Sequence, residues 1–335
     1  MRYLFLSIAC LLLGGAGALA IRRYAVLLDI VDVPNARSSH TAPVPKGGGI
    51  GILLAFAVSS VVLGMPWWLW VPAGALSLVS FQSDRVDLSL GVRLPVQFLA
   101  AGCVVIAWYG TGGGVKDFAS SLPFLLVAAL VIFLAVFIVG TANFYNFMDG
   151  INGIAGMTGI VAFGLLAMSA YLSGEPAGVI TICTCMCLAC LGFLPFNIPK
   201  ARVFMGDVGS VLLGFVFALM VMTTAHVITG FLALAACLFP FYADELTTMF
   251  VRIKDGERLS KPHRRHLYQL LANEMGIAHW KVSLGYGVLQ LLVGCSALVS
   301  SRYEFMAVAG SLCFYFVGFS FVSYHVRARI PQGNQ

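Results

Sequence analysis

Apolar runs of about 20 residues recur along the whole chain, and no other feature limits the fold as strongly. A helix of that length crosses a hydrocarbon core of about 30 Å. Backbone groups inside a bilayer must satisfy one another, so such runs form helices. Sixty per cent of the residues are hydrophobic and only 10% are charged, against about a quarter in soluble domains. The sequence predicts an all-α, polytopic bundle of transmembrane helices in a single domain, residues 1–335.

Charged residues, glycine and proline bound the apolar runs and predict eleven spans, or ten if 209–249 crosses once. The first 20 residues resemble a signal peptide, but Arg22 and Arg23 follow at once, which favours a retained first helix. The predicted spans are 3–21, 48–64, 67–83, 94–111, 121–140, 153–173, 178–196, 209–227, 229–249, 280–299 and 305–325.

The basic residues predict the orientation of the bundle. With the N-terminus outside, 17 of the 20 Lys and Arg residues fall in inside loops, and only Arg2, Lys116 and Arg302 face out. The positive-inside rule therefore places the C-terminus in the cytoplasm. This distribution also accounts for the formal charge of +6, so we expect a lipid bilayer as partner and no nucleic acid.

Polar residues gather at the predicted inner ends of different spans, whereas the span centres are almost free of ionisable groups. A transporter needs polar groups near mid-membrane because its site opens to both sides. The pattern therefore favours chemistry on the cytoplasmic face. The inner-end residues are Asp84, Asp87, Asp149, Asp207, Asp244, Glu245, Asn143, Asn146, Asn152, Asn197, His40, His263 and His266.

Four cysteines lie within one predicted span, at 183, 185, 187 and 190. Their spacing is similar to that of a metal cluster. No His or acidic residue is nearby, and cysteine in an apolar helix commonly serves as a small packing residue. The pattern favours packing.

Two segments suit phosphate groups. The loop 32–49 combines Arg37 and Lys46 with a glycine triplet, and glycines allow backbone N–H groups to approach phosphate oxygens. A turn-rich connector with topogenic cations is the alternative. The segment 262–269 contains two His and two Arg within four residues, a strong anion-binding combination. A solvated basic loop is its alternative, and a zinc site would need partners that this loop lacks.

Two further segments suit a hard cation. In 143–153, Asn and Asp recur every three residues and would line one face of a helix, an arrangement of oxygen ligands that suits Mg²⁺. A polar helix end that bonds its neighbours is the alternative. Asp207 leads into a new span and could be either a metal ligand or an N-cap.

Together these segments resemble the polyprenyl-phosphate N-acetylhexosamine-1-phosphate transferase family of glycosyltransferases. The resemblance extends over residues 30–270 and rests on five motifs in the family's order. It implies transfer of an N-acetylhexosamine 1-phosphate from its UDP-sugar to undecaprenyl phosphate, with release of UMP. Such a reaction initiates lipid-linked polysaccharide, as in O-antigen or cell-wall synthesis, at the bacterial inner membrane. The motifs are DVPNARSSHTAPVPKGGG, SDR followed by LS, NFYNFMDGINGIAG, ARVFMGDVGS and PHRRHLYQ.

The resemblance also implies a cofactor, Mg²⁺, for which Mn²⁺ could substitute, with Asn146 and Asp207 as its ligands. It assigns catalytic roles to Asp84, Asp149, Asp207 and His263. Substrate contacts are expected from Lys46, Asn143, Arg264, Arg265 and His266.

The sequence departs from the family pattern at Ser83, where relatives usually carry the first of two aspartates. A catalytically impaired scaffold is therefore an alternative interpretation, followed by a secondary transporter. The motif PHRRHLYQ is closer to the O-antigen and capsule-initiating branch than to the peptidoglycan branch, which favours UDP-N-acetylglucosamine or a deoxy-N-acetylhexosamine as donor. Dimers occur among relatives, so a homodimer is one expected assembly.

Overall fold

The computed structural model describes residues 1–34, 39, 42–86, 88–111, 123–259 and 263–330. Arg37, His40, Asp87 and Lys116 lie outside these ranges. The helices are α1 Arg2–Leu28, α2 Ile50–Val62, α3 Trp67–Arg85, α4 Leu90–Gly110, α5 Phe124–Phe147, α6 Ile154–Leu172, α7 Ala177–Phe193, α8 Asp207–Thr224, α9 Ile228–Ala235, α10 Phe239–Lys254, α11 Leu267–Gln269, α12 His279–Ser300 and α13 Phe305–Ala328. Two short antiparallel strands, β1 Val31–Asp32 and β2 Val44–Pro45, pair with each other.

The prediction of an all-α membrane protein is confirmed. Within the described ranges, nine helical segments are long and apolar enough to cross a membrane. The segment Ile228–Lys254 is one of them, and the short 3-10 turn Ala236–Leu238 joins its two halves, α9 and α10. Helix α2 is apolar but has only 13 residues, and α3 has 19 residues and ends in polar side chains. The outward position of the N-terminus stays a prediction.

Helices α8 and α9 decide whether the stretch 209–249 forms one span or two. Helix α8 ends at Thr224 and a new helix begins at Ile228, so the chain turns here instead of crossing once. Every one of the eleven predicted spans thus corresponds to a helical segment. Nine of these segments are long and apolar enough to cross a membrane, and a crossing by α2 and by α3 stays a prediction.

Helix α8 forms the centre of the bundle. All its side chains from Val208 to Met222 are buried, and α3, α5, α6 and α2 pack around it. A helix that is apolar on every side is expected to be buried on every side. Asp207 occupies its first position, so the most enclosed helix of the bundle presents its N-terminus to the site described below.

Small residues bring α1 against α7. A Cβ atom added at Gly14 would collide with the carbonyl oxygen of Ala189, and one at Gly192 with that of Leu11. Close backbone approach of this kind strengthens van der Waals packing between helices in lipid. Cys183, Cys185 and Cys190 are buried in α7.

Main-chain hydrogen bonds join residues 45–49 to residues 204–206, two segments that are distant in sequence. We call this pair of segments the glycine clasp. Phe204 N–H donates to the Pro45 carbonyl (2.8 Å), and Gly48 and Gly49 N–H donate to the carbonyls of Phe204 and Met205 (both 2.9 Å). These two N–H groups are therefore not free to bind phosphate, so the expectation drawn from the glycine triplet fails for Gly48 and Gly49.

Candidate active site

A polar cavity of about 330 Å³ lies where the ends of several helices meet, and we call it the acidic cavity. It brings together Lys46, Asp84, Asn146, Asp149 and Asp207, which the sequence places up to 161 positions apart. Asp84, Asp149 and Asp207, which come from three separate segments, therefore share one space with a fourth carboxylate, Asp32. The complete lining is Asp32, Ser39, Lys46, Asp84, Asn146, Asp149, Gly150, Ile151, Asn152, Asn197, Phe204, Gly206, Asp207, Gln269 and His279.

Asp84 caps the central helix from outside it. Its carboxylate accepts the backbone N–H groups of Asp207 (3.0 Å) and Val208 (3.2 Å), the first two residues of α8. Those groups have no partner inside their own helix, and a carboxylate also suits the positive end of the helix dipole. Asp84 is only 4% exposed, so it fixes the position of Asp207 from within the protein.

Asp207 is held by two side chains. The Arg93 guanidinium lies 2.9 Å from one carboxylate oxygen, and the Asn146 amide donates to the other at 2.8 Å. Arg93 belongs to the first turn of α4, and the sequence suggested only a topogenic role for it. Nothing in its local sequence pairs it with Asp207, because the contact depends on how α4 and α8 pack.

Asp149 lies in the turn between α5 and α6, beside the other two carboxylates. Loss of hydration raises the pKa of its carboxyl, and the negative charges of Asp207 and Asp84 raise that pKa further. Crowded carboxylates of this kind favour a bound cation. Within the described ranges no group of three or more His, Cys, Asp or Glu is arranged as a ready metal cluster.

The donor set nevertheless fits Mg²⁺, which prefers one or two carboxylates and keeps several waters. Asp207 and Asp149 offer such oxygens at the cavity wall. Asn146 fits less directly, since its amide nitrogen faces Asp207 and its oxygen accepts from Arg93 at 3.3 Å. Ligation by Asn146 would require its amide to rotate.

The segment 143–153 departs from the predicted helical face. Helix α5 ends at Phe147, so Asp149 and Asn152 lie beyond it, and Gly153 turns the chain with φ +91°. Asn143 does not line the acidic cavity; its amide donates to Gln97 Oε1 at 2.6 Å. The contact expected between Asn143 and substrate therefore has no support in the geometry.

A second cavity of about 440 Å³ adjoins the first, and we call it the histidine cavity. Gln269 lines both cavities and marks their junction. His263, for which the resemblance implies a catalytic role, and His266, for which it implies a substrate contact, both lie on this side of the junction. The full lining is Leu90, Phe144, Phe147, Glu245, Met249, Arg252, Leu259, His263, His266 and Gln269.

The two arginines of the motif lie outside the linings of both cavities. Arg265 is buried, and its guanidinium bonds Asp255 at 2.6 Å and Glu257 at 2.5 Å. It therefore stabilises its own loop instead of turning to a substrate, contrary to the prediction. Arg264 is half-buried, and its substrate role stays a prediction.

His263 should make stability depend on pH. Burial, with the nearby positive charges of His266 and Arg252, lowers the pKa of its imidazole to about 3. The unfolded chain takes up this proton near pH 6.5, whereas the folded protein does not until about pH 3. Stability should therefore fall as pH drops below 6.5.

His263→Gln removes this contribution, so its melting temperature in detergent should decrease less between pH 7.5 and pH 5 than that of the wild type. His325→Gln, an exposed histidine on α13, is the matched control. Equal pH slopes for wild type and His263→Gln would contradict the assignment.

Fold and site together define a class: a multi-pass membrane protein with an acidic cavity built from the ends of its helices. Residues 66–225 match the glycosyl transferase family 4. That range includes Asp84, Asn146, Asp149 and Asp207.

Three relatives extend the match. The undecaprenyl-phosphate alpha-N-acetylglucosaminyl 1-phosphate transferase of Salmonella typhi is 30% identical over 265 residues, covering 75% of this chain and 71% of the relative. The phospho-N-acetylmuramoyl-pentapeptide-transferase of Staphylococcus saprophyticus is 29% identical, covering 75% and 85%. The decaprenyl-phosphate N-acetylglucosaminephosphotransferase of Mycobacterium tuberculosis is 28% identical, covering 83% and 76%. The chain belongs to glycosyltransferase family 4 and is a membrane-embedded transferase.

Proposed function

We propose that this protein transfers N-acetylhexosamine 1-phosphate from a UDP-sugar to undecaprenyl phosphate and releases UMP. The observation that carries the proposal is the acidic cavity, where Asp84, Asp149 and Asp207 meet Lys46 beside a second, largely apolar cavity. The names of the Salmonella and Mycobacterium relatives, which act on polyprenyl phosphates, support it. N-acetylglucosamine or a deoxy-N-acetylhexosamine is the proposed sugar.

The reaction is a phosphoryl-centre displacement. An oxygen of the lipid phosphate attacks the phosphorus that carries the sugar, and the bond from that phosphorus to the bridging oxygen breaks. UMP leaves with the electron pair of that bond. The lipid phosphate has its second pKa near about 6 and is mostly dianionic at pH 7, so it needs no base at position 83.

The two cavities divide the substrates. The apolar lining of the histidine cavity, which includes the exposed Phe147 and Leu90, suits the first units of a polyprenyl chain. The acidic cavity suits the nucleotide-sugar, with Lys46 near its phosphates. The reacting phosphates would meet at Gln269, where His263 and His266 can donate to phosphate oxygens.

Mg²⁺ is the proposed cofactor, with Mn²⁺ as a substitute, and when bound it would offset the negative charge of two phosphate groups. Asp207 and Asp149 would hold it. Asp84 would keep Asp207 in place through the first turn of α8. We further propose an inner-membrane location with the active site facing the cytoplasm, and a role in starting lipid-linked polysaccharide synthesis.

The test is product analysis by mass spectrometry. Purified protein, undecaprenyl phosphate and Mg²⁺ are incubated with UDP-N-acetylglucosamine, a deoxy-N-acetylhexosamine analogue and UDP-glucose. We expect lipid-linked sugar diphosphate and UMP in equal amounts from an N-acetylated donor, and none without the lipid. If only Ser83→Asp makes product, the scaffold interpretation holds instead. No product from either protein would refute the transferase proposal.

A further inference from the structure

Asp244, on α10, is fully buried at 0% exposure and lines neither the acidic cavity nor the histidine cavity. Its carboxylate accepts the backbone N–H groups of Leu267 (2.8 Å) and Tyr268 (3.2 Å). These are the first two residues of the short helix α11, whose N–H groups have no partner within the helix itself. A buried carboxylate on one helix therefore holds the start of another.

Two hydroxyl groups donate to the same carboxylate, and the His266 imidazole lies close to it, with Nδ1 3.8 Å from Oδ1. Tyr286 of α12 donates its hydroxyl at 2.7 Å, and the Thr248 hydroxyl donates at 3.2 Å. Thr248 in turn accepts from the Arg327 guanidinium of α13 at 2.9 Å. Four helices, α10 to α13, are thus joined through one ionisable group, and charge-assisted bonds of this kind are stronger than neutral ones.

The segment that Asp244 holds, residues 266–269, lies between the two cavities. Gln269 lines both of them, and His266 lines the histidine cavity. The Tyr268 hydroxyl donates to the Phe147 carbonyl at 3.1 Å and packs against Gly150, next to Asp149. Displacement of this segment would move Gln269 and His266 relative to the carboxylates.

The arrangement repeats that of Asp84. Each aspartate belongs to a neighbouring helix, and each accepts two successive N–H groups at the start of a second helix. Asp84 thereby fixes Asp207 in the acidic cavity, and Asp244 fixes the segment that borders the histidine cavity. By analogy with Asp84, Asp244 holds a neighbouring segment in place for the site.

We infer that Asp244 is a positioning residue: it anchors residues 266–269 at the junction of the two cavities without touching substrate. The expected effect of Asp244 on kcat rests on the proposed function. Its expected effect on the structure of residues 266–269 does not. Asp244→Ala removes every acceptor, whereas Asp244→Asn keeps one oxygen and the same shape.

The structural readout is hydrogen–deuterium exchange of the peptide that contains Leu267 and Tyr268. In Asp244→Ala these amides should exchange about tenfold faster than in the wild type. In Asp244→Asn the increase should be smaller, and exchange at the start of α8 should be unchanged in both variants. Gln290→Leu is the matched control, because Gln290 is a fully buried amide that bonds the Thr158 and Cys237 carbonyls elsewhere in the bundle. It should lower thermal stability without changing exchange at 267–268.

The kinetic readout is kcat and KM per folded protein. Asp244→Ala should reduce kcat about 100-fold, as misplacement of about 1 Å can, and Asp244→Asn should recover part of that loss. Unchanged exchange at 267–268 in Asp244→Ala would overturn the inference, as would equal changes in Gln290→Leu. If Asp244→Ala does not fold, Asp244→Asn against wild type gives the same decision. Absence of transfer in the wild type would refute the proposed function and leave the exchange result valid.

Discussion

Asp207→Asn is expected to reduce the formation of lipid-linked product about 100- to 1,000-fold while leaving thermal stability nearly unchanged. The substitution removes one negative charge from the cavity in which phosphate charge must be offset. It preserves the shape of the side chain and an oxygen that can accept from Arg93 or Asn146. The backbone N–H of residue 207 still donates to Asp84, so the helix cap remains. Loss of function without loss of stability would mark Asp207 as a residue of the chemistry.

The measurement is the initial rate with radiolabelled UDP-sugar, alongside melting temperature in detergent. Glu175→Gln is the matched control, because it removes the same charge at the far end of the bundle. There Glu175 pairs with His226, which follows the last turn of α8, at 2.8 Å. An 18-residue helix separates this pair from Asp207 by about 27 Å. A rate above half that of the wild type in Asp207→Asn would refute the role proposed for this carboxylate.

Asp84→Ala is expected to lower both product formation and stability. The change leaves two buried N–H groups at the start of α8 without an acceptor, at a cost of about 2–5 kcal/mol. Asp207 loses the contact that places it, so the rate should fall as well. Asp84→Asn retains one acceptor oxygen and should give intermediate values of both quantities.

Thermal unfolding and product formation are measured on the same preparations. Ser80→Ala serves as control, since Ser80 is a buried polar residue one turn earlier on α3. A variant Asp84→Ala with wild-type melting temperature would show that the cap contributes nothing, whatever its activity. The two variants therefore distinguish the roles of the two aspartates. Asp207→Asn is expected to lose activity alone, whereas Asp84→Ala is expected to lose activity because the structure around Asp207 is lost.

The helices could be predicted from the sequence because hydrophobic length is a local property. Nine of the eleven apolar runs form helices long and apolar enough to cross a membrane, and the runs end at charged residues, glycine or proline. The meeting of Asp84, Asp149 and Asp207 could also be expected, since all three fall at the same predicted end of different spans. The positive-inside rule predicts that all three aspartates lie on the same side of the membrane.

The contacts that organise the site could not be predicted, because each joins residues that are far apart in sequence. Nothing in the sequence around Asp84 or Asp244 indicates that these residues cap the helices that begin at Asp207 and Leu267. The period-three pattern from Asn143 failed beyond Phe147, since the glycine-containing turn there ends the helix. Arg265 was expected to bind phosphate, yet nearby acids in its own loop neutralise it.

Capping from a neighbouring helix has a consequence for how the protein is made. Translation delivers the amino-terminal part first, so α3 enters the bilayer while the partner amides of Asp84 are still unsynthesised. The hydrogen bonds of Asp84 to the backbone of Asp207 and Val208 can form only after those residues, 123 and 124 positions later, leave the ribosome. A nascent chain that stalls before that point therefore holds α3 without the contact that joins it to the centre of the bundle.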